Sequence, residues 1–207
     1  MPQGNAPKGL IPVRHLNGSP WNGQVQAFLH PSGDSVAIYV GDPVKTLGSS
    51  GAAGTIVAGM NCEGVMTVAR DTSGTTGQAT LGVAVGFSPD PTNLMKRHCA
   101  ASENRIVYVV TDPTVVYEVQ EDAATTPIAA ASVGLNVALA TTAGSTVTGN
   151  SGMVLDSDTV ATTAALPLKL IGLSKRVDVA MSTATNDYAK WEVVFNTGFF
   201  ADNLAGA

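Results

Sequence analysis

Thr148-Gly149-Asn150-Ser151-Gly152 is the stretch whose residue types come nearest to a reacting centre. A serine on a tight glycine turn presents its hydroxyl, which becomes nucleophilic when a histidine takes its proton and an aspartate orients that histidine. His15 or His30, Asp71 or Asp112, and Ser151 stand in that order along the chain. The competing reading is structural, because Asn-Ser-Gly is also an ordinary turn sequence.

The pentapeptide resembles the Gly-Asp-Ser-Gly around the nucleophile of chymotrypsin-like serine proteases. It departs from that pattern at several points. His15 lies in a segment dense in Pro and Gly, and His30 is followed by Pro31 where those enzymes have Cys. Asn150 replaces the Asp, and Met153 stands where a second Gly is usual. His15, His30 and His98 are far apart and lack metal-ligand spacing. Cys62 and Cys99 form no Cys-x-x-Cys pair, which leaves open a single disulfide or two buried apolar thiols. Gly48, Gly51 and Gly54 precede no Lys-Ser/Thr, so no phosphate-binding loop is read and no cofactor is expected. Glu118, Glu121 and Asp122 have no matching acid elsewhere and read as a solvated strand end. Asp156 and Asp158 read as a turn in preference to a weak calcium site.

The elements that must position these residues read as β throughout. Residues 106–122 contain two β-branched and aromatic runs around Asp112-Pro113-Thr114, predicting two strands folded about that turn as the middle of an all-β domain. Positions 106–110 are apolar on both faces and predict a central strand. Val115, Tyr117 and Val119 predict a buried face, and Val116, Glu118 and Gln120 a mostly wet one. Further strands are predicted at 24–29, 36–40, 44–47, 55–58, 65–69, 79–87, around Leu135, Val137 and Leu139, and at 166–173 and 188–195. The stretch 71–77 reads as a plain polar loop. Gly82 and Gly86 predict a bulge or tight curve of the kind that closes a small barrel. One short helix is predicted at 92–102, with Leu94, Met95, His98 and Cys99 on one face. No repeat at a fixed period is visible.

Residues 1–23 carry Pro2, Pro7, Pro12 and Pro20 with four glycines, so they read as an extended arm rather than a ladder strand. Leu10, Val13, Arg14, Leu16 and Trp21 give that arm anchors, and it docks on its own domain or on a neighbour. The expected organisation is an arm at 1–23 and an all-β domain at 24–207, a small barrel or sandwich, with a break near 123–127 where Ala, Thr, Gly and Ser take over.

Charged residues are only 13% of the 207 against a usual figure of roughly 25%, which suits a subunit packed among many copies. A net charge of −5 with scattered basic residues argues against nucleic-acid binding. No stretch approaches the roughly 20 apolar residues that cross a bilayer, and residues 1–8 lack the apolar core of a signal peptide. Synthesis in a cytoplasm and no membrane contact are therefore expected.

Ala6-Pro-Lys-Gly-Leu-Ile-Pro-Val-Arg-His-Leu-Asn-Gly18, Gly41-Asp-Pro-Val44 and Val116-Tyr-Glu-Val-Gln-Glu-Asp122 are similar to proteins encoded near the major capsid gene of tailed bacteriophages. So are Val133-Gly-Leu-Asn136, Thr148-Gly-Asn-Ser-Gly152, Leu166-Pro-Leu-Lys-Leu170 and Tyr188-Ala-Lys-Trp191. The chain thus resembles capsid decoration, or cement, proteins. That resemblance implies a non-enzymatic subunit on the outer surface of the expanded phage head, with the major capsid protein as partner. It further implies a homo-oligomer, a trimer in preference to a dimer, with Leu10, Val13, Arg14, Leu16 and Trp21 of the arm meeting the shell. A tail or head-fibre component is the neighbouring alternative.

Overall fold

A computed structural model describes residues 4–74, 79–122, 126–181 and 188–200. The strands are β1 (Ile11–His15), β2 (Gln26–His30), β3 (Pro43–Ser50), β4 (Ile56–Val57), β5 (Met60–Asn61), β6 (Met66–Arg70) and β7 (Gly82–Phe87). They continue with β8 (Arg105–Val110), β9 (Val115–Gln120), β10 (Asn136–Ala140), β11 (Val154–Ala161), β12 (Leu168–Leu173) and β13 (Lys190–Phe195), and a 3₁₀ turn covers Ala130–Ser132. The protein is all-β, as its alternation predicts.

β2, β6, β3, β7 and β8 close into a barrel in that order. Closure needs curvature, and β7 supplies it. The β7–β8 register slips between Ala84 and Gly86, and a Cβ on Gly82 would lie 2.1 Å from the Val110 carbonyl oxygen. Inside sit Phe28, Val44, Val68, Ala84, Val107 and Val109. The other sheet runs β1-β9-β13-β12-β10-β11, and a parallel bridge from Glu121 to Leu155 returns β11 to the end of β9.

These two sets of five strands have one topology. In each, the first strand meets the third in parallel, at Leu29 with Thr67 and at Glu121 with Leu155. In each, the antiparallel pairs are first with fifth, second with third, second with fourth, and fourth with fifth. Hydrogen bonds repeat as well. Gly41 N donates to Ala84 O at 2.7 Å and Ala84 N to Asp42 O at 2.9 Å; Gly134 N donates to Leu170 O and Leu170 N to Leu135 O, both at 2.9 Å. Gly41 and Gly134 have φ of 93° and 90°, which a glycine adopts at least cost. Behind this lie two faint sequence echoes: Val40-Gly-Asp-Pro-Val44 with Val133-Gly-Leu-Asn-Val137, and Ala84-Val-Gly-Phe-Ser88 with Leu170-Ile-Gly-Leu-Ser174. The second echo marks the bulged strand of each unit. Unequal loops between the echoes hide the duplication from any fixed-period search.

Several expectations change. First, β8 and β9 are not partners. β8 lies between β2 and β7 and β9 between β1 and β13, so Asp112-Pro113-Thr114 is the corner where the chain passes from one unit to the other. Asp112 Oδ1 accepts from Thr114 N at 2.8 Å and Oγ1 at 2.7 Å, a turn chemistry that serves a corner as well as a hairpin. The boundary expected near 123–127 includes 123–125, outside the described residues; the change of sheet falls at 111–114.

Second, β9 is buried on both faces. Glu118 accepts a 2.5 Å bond from Ser174 Oγ, and Gln120 accepts from Ala6 N and donates to Asn5, each at 2.9 Å. Glu121 is wholly buried and accepts from Ile128 N and Trp191 Nε1, so this acidic stretch is a hydrogen-bonded interior rather than a solvated strand end. Third, the arm contains a ladder strand despite its prolines. β1 pairs antiparallel with β9, slipping register between Pro12 and Arg14, and a sheet edge tolerates the missing donor of Pro12.

Fourth, 92–102 is not helical. Asp90 Oδ1 accepts from Thr92 N, Thr92 Oγ1 and Asn93 N, while Arg105 donates to the carbonyls of Ser88, Lys96 and His98, taking acceptors a helix would use. Leu94 and Met95 project into solvent instead of packing. The stretch 36–40 forms single bridges, Ile38 to Cys99 and Val40 to Asn150, in place of a strand.

Candidate binding surface

The serine of the glycine turn lies in a buried joint. Its turn is built by Gly149, at φ 77°, whose N–H donates to Ser145 O and whose carbonyl accepts from Val40 N. Ser151 N donates to Val40 O, Ser151 Oγ accepts from Met153 N at 3.1 Å, and Ser151 is 1% exposed. The hydroxyl also bonds Asp42. Burial raises the pKa of that carboxyl, opposed by Arg70 at 3.0 Å and by the bonds from Ser151 and Tyr39 N. Gly9 and Gly41 face the joint so closely that a Cβ on Gly9 would lie 2.6 Å from Ser151 Cβ. The arm is thereby sealed over the serine.

His15 and Asp112 do meet, at 3.3 Å, with Thr114 Oγ1 3.3 Å from the same imidazole nitrogen. Partial burial works against the Asp112 carboxylate, but the bonds from Thr114 and the nearby His15 outweigh it and lower its pKa. This pair fastens β1 to the corner. Asp71 is buried and accepts from Ser73 and Thr80.

One further Cys–His–Asp arrangement was invisible in sequence. Cys99 Sγ lies 3.3 Å from His30 Nδ1, and His30 Nε2 lies 3.3 Å from Asp34. His30 Nδ1 is also 2.8 Å from Glu103 O, the Cys99 and His30 side chains are closed off from solvent, and burial pushes the thiol up to about 12. A thiol held protonated there is a packing group. Cys62 is likewise buried, in a separate cluster with Leu29 and Ile106, and both cysteines are free.

The arm residues divide between interior and surface. Leu10 is buried in the large core with Tyr117 and Trp191, and Trp21 packs against its margin. Arg14 Nη2 donates to Glu192 at 2.6 Å, tying β1 to β13 across β9. Val13 and Leu16 remain outside, 36% and 52% exposed. They sit on a small hairpin that closes the edge of β1, with His15 N donating to Ser19 O at 2.8 Å and Trp21 N to Val13 O at 3.3 Å. So the arm offers a rigid apolar grip of two side chains.

A second surface lies at the start of β2. Gln24, Val25, Gln26, Thr111, Asp112 and Phe200 line an open groove of about 400 Å³. Val25 and Phe200 are exposed there. Its only trace in sequence is an uncharged strand start, Gln24-Val25-Gln26. Compared with protein families, curated proteins and solved structures, the chain matches none.

Proposed function

We propose that this chain is a structural subunit of a tailed-phage virion, without enzymatic activity. It binds the outer surface of the expanded head as a homo-oligomer and cements neighbouring major capsid protein subunits. The observation that carries the reading is the rigid presentation of Val13 and Leu16 on a hairpin welded to the six-stranded sheet by the β1–β9 ladder. A grip of this kind loses little conformational freedom on docking. Low charge supports close packing on a shell, and attachment through several copies lets modest contacts add up. Ser151 supports the non-enzymatic reading, because its hydroxyl is spent on Asp42 and Met153 beneath the arm.

Co-sedimentation of the purified protein with expanded, undecorated heads and with unexpanded proheads tests this. Saturable binding to expanded heads alone is expected. The double variant Val13→Asp, Leu16→Asp should bind about tenfold or more weakly with an unchanged melting temperature. Wild-type protein that sediments with neither particle removes the reading.

A further inference from the structure

We propose that two copies of this chain pair antiparallel through the open edge at the start of β2, across a twofold axis at Val25. This goes beyond the shell reading and stands independently of it.

Hydrogen-bond alternation shows the edge is open. Ser88 N donates to Ile106 O at 2.9 Å and Ile106 N to Ser88 Oγ at 3.3 Å, so Ile106 turns its backbone polar groups toward the β7 side. In antiparallel pairing this places Val109 and Val107 toward β2, opposite Gln26 and Phe28. Val25, Ala27 and Leu29 therefore point their backbone groups the other way. Leu29 meets Thr67 of β6, the one register pair between these two strands among the described residues. Among the described residues, no backbone partner is found on that side of Val25.

The duplication shows what belongs there. The bond from Ser88 N to Ile106 O recurs as Ser174 N to Lys190 O, so Leu29 opposite Ile106 matches Gln120 opposite Lys190, and stepping back equally reaches Val25 and Val116. Val116 is covered by an antiparallel strand, through its pairing with Arg14 of β1. Among the described residues, Val25 has no such strand.

The local sequence suits a second copy. Gly23-Gln24-Val25-Gln26-Ala27 reads almost the same in both directions. Twofold antiparallel pairing sets Val25 against Val25, Gln24 against Gln26 and Gly23 against Ala27. No like charges oppose, the amides can bond across the strands, and small ends permit close approach. The segment carries no lysine or proline of the kind that blunts an exposed edge. Pairing also covers Val25 and Phe200, which are 41% and 51% exposed. The result is a twofold contact, in place of the threefold assembly suggested by the resemblance to cement proteins.

Sedimentation equilibrium of the full chain, from about 1 µM to about 1 mM (a span of about 4 kcal/mol in association free energy), should show a monomer–dimer equilibrium. Val25→Pro removes the outward N–H that β8 does not use, and should weaken the dimer by about tenfold or more with an unchanged melting temperature. Gln24→Lys with Gln26→Lys sets like charges opposite and should weaken it in a salt-dependent way, an independent readout if the proline variant misfolds. A wild type that stays monomeric over the range overturns the proposal and leaves the edge to a strand of another protein. A trimer, or a dimer indifferent to both variants, also overturns it.

Discussion

Gly41 and Gly134 occupy the same place in the two units, yet a methyl group meets different surroundings at each. Both need a positive φ, so alanine at either carries a conformational cost of about 1–2 kcal/mol. At Gly134 nothing lies within 4 Å of the new Cβ, while at Gly41 the Cβ would fall 2.1 Å from Lys8 O. That oxygen belongs to the arm, which must shift. We expect Gly134→Ala to lose only the conformational cost in urea unfolding. Gly41→Ala should lose clearly more and should expose the arm to proteolysis near Lys8. Equal losses would mean the arm is not held at this joint.

At the scale of the element, β1 is the part whose role differs most from an extended tether. With the residues just before it, β1 supplies Leu10 to the core, lends Asn5 and Ala6 to Gln120, and holds Glu192 through Arg14. Removing residues 1–23 therefore exposes an edge of β9 and opens a cavity where Leu10 sat. The cavity alone costs about 2–5 kcal/mol. The truncated chain should melt at least several degrees lower and self-associate through β9, measured by calorimetry and light scattering. A truncated chain with an unchanged melting temperature would show that β1 is dispensable for the fold. Surface substitutions at Val13 and Leu16, which leave Leu10 in place, are accordingly the cleaner probe of shell binding.

At the scale of the whole molecule, the two units are joined by more than the corner at 111–114. Val83 of β7 and Val110 of β8 pack in the same core as Tyr117, Leu168 and Trp191. A shared interior couples the two units, so neither loses its packing alone. We expect one transition in urea, with labelling of the buried Cys62 and Cys99 in the first unit following the same midpoint as Trp191 fluorescence in the second. Two separated midpoints would show that the shared core does not couple them.

Much of the strand content was legible from residues alone. The β-branched runs at 106–110 and 115–120, the alternation at 190–195 and the curvature at Gly82 and Gly86 each act over a few residues, where φ/ψ preference and side-chain direction are local. The buried fate of the arm, of Glu118 and of Ser151 was not legible, because it depends on which distant segment lies on top. Nor was the pairing. Asp112-Pro113-Thr114 turns the chain identically whether its flanking strands join each other or join two different sheets, and available edges made that choice. The duplication was recorded mainly in pairing order and in the hydrogen bonds of Gly41 and Gly134, with only faint echoes in residue identity. Local chemistry therefore determined which residues are extended and where the chain bends. Tertiary structure decided which strands are neighbours and which polar groups are buried, because pairing and cover arise between segments far apart along the chain.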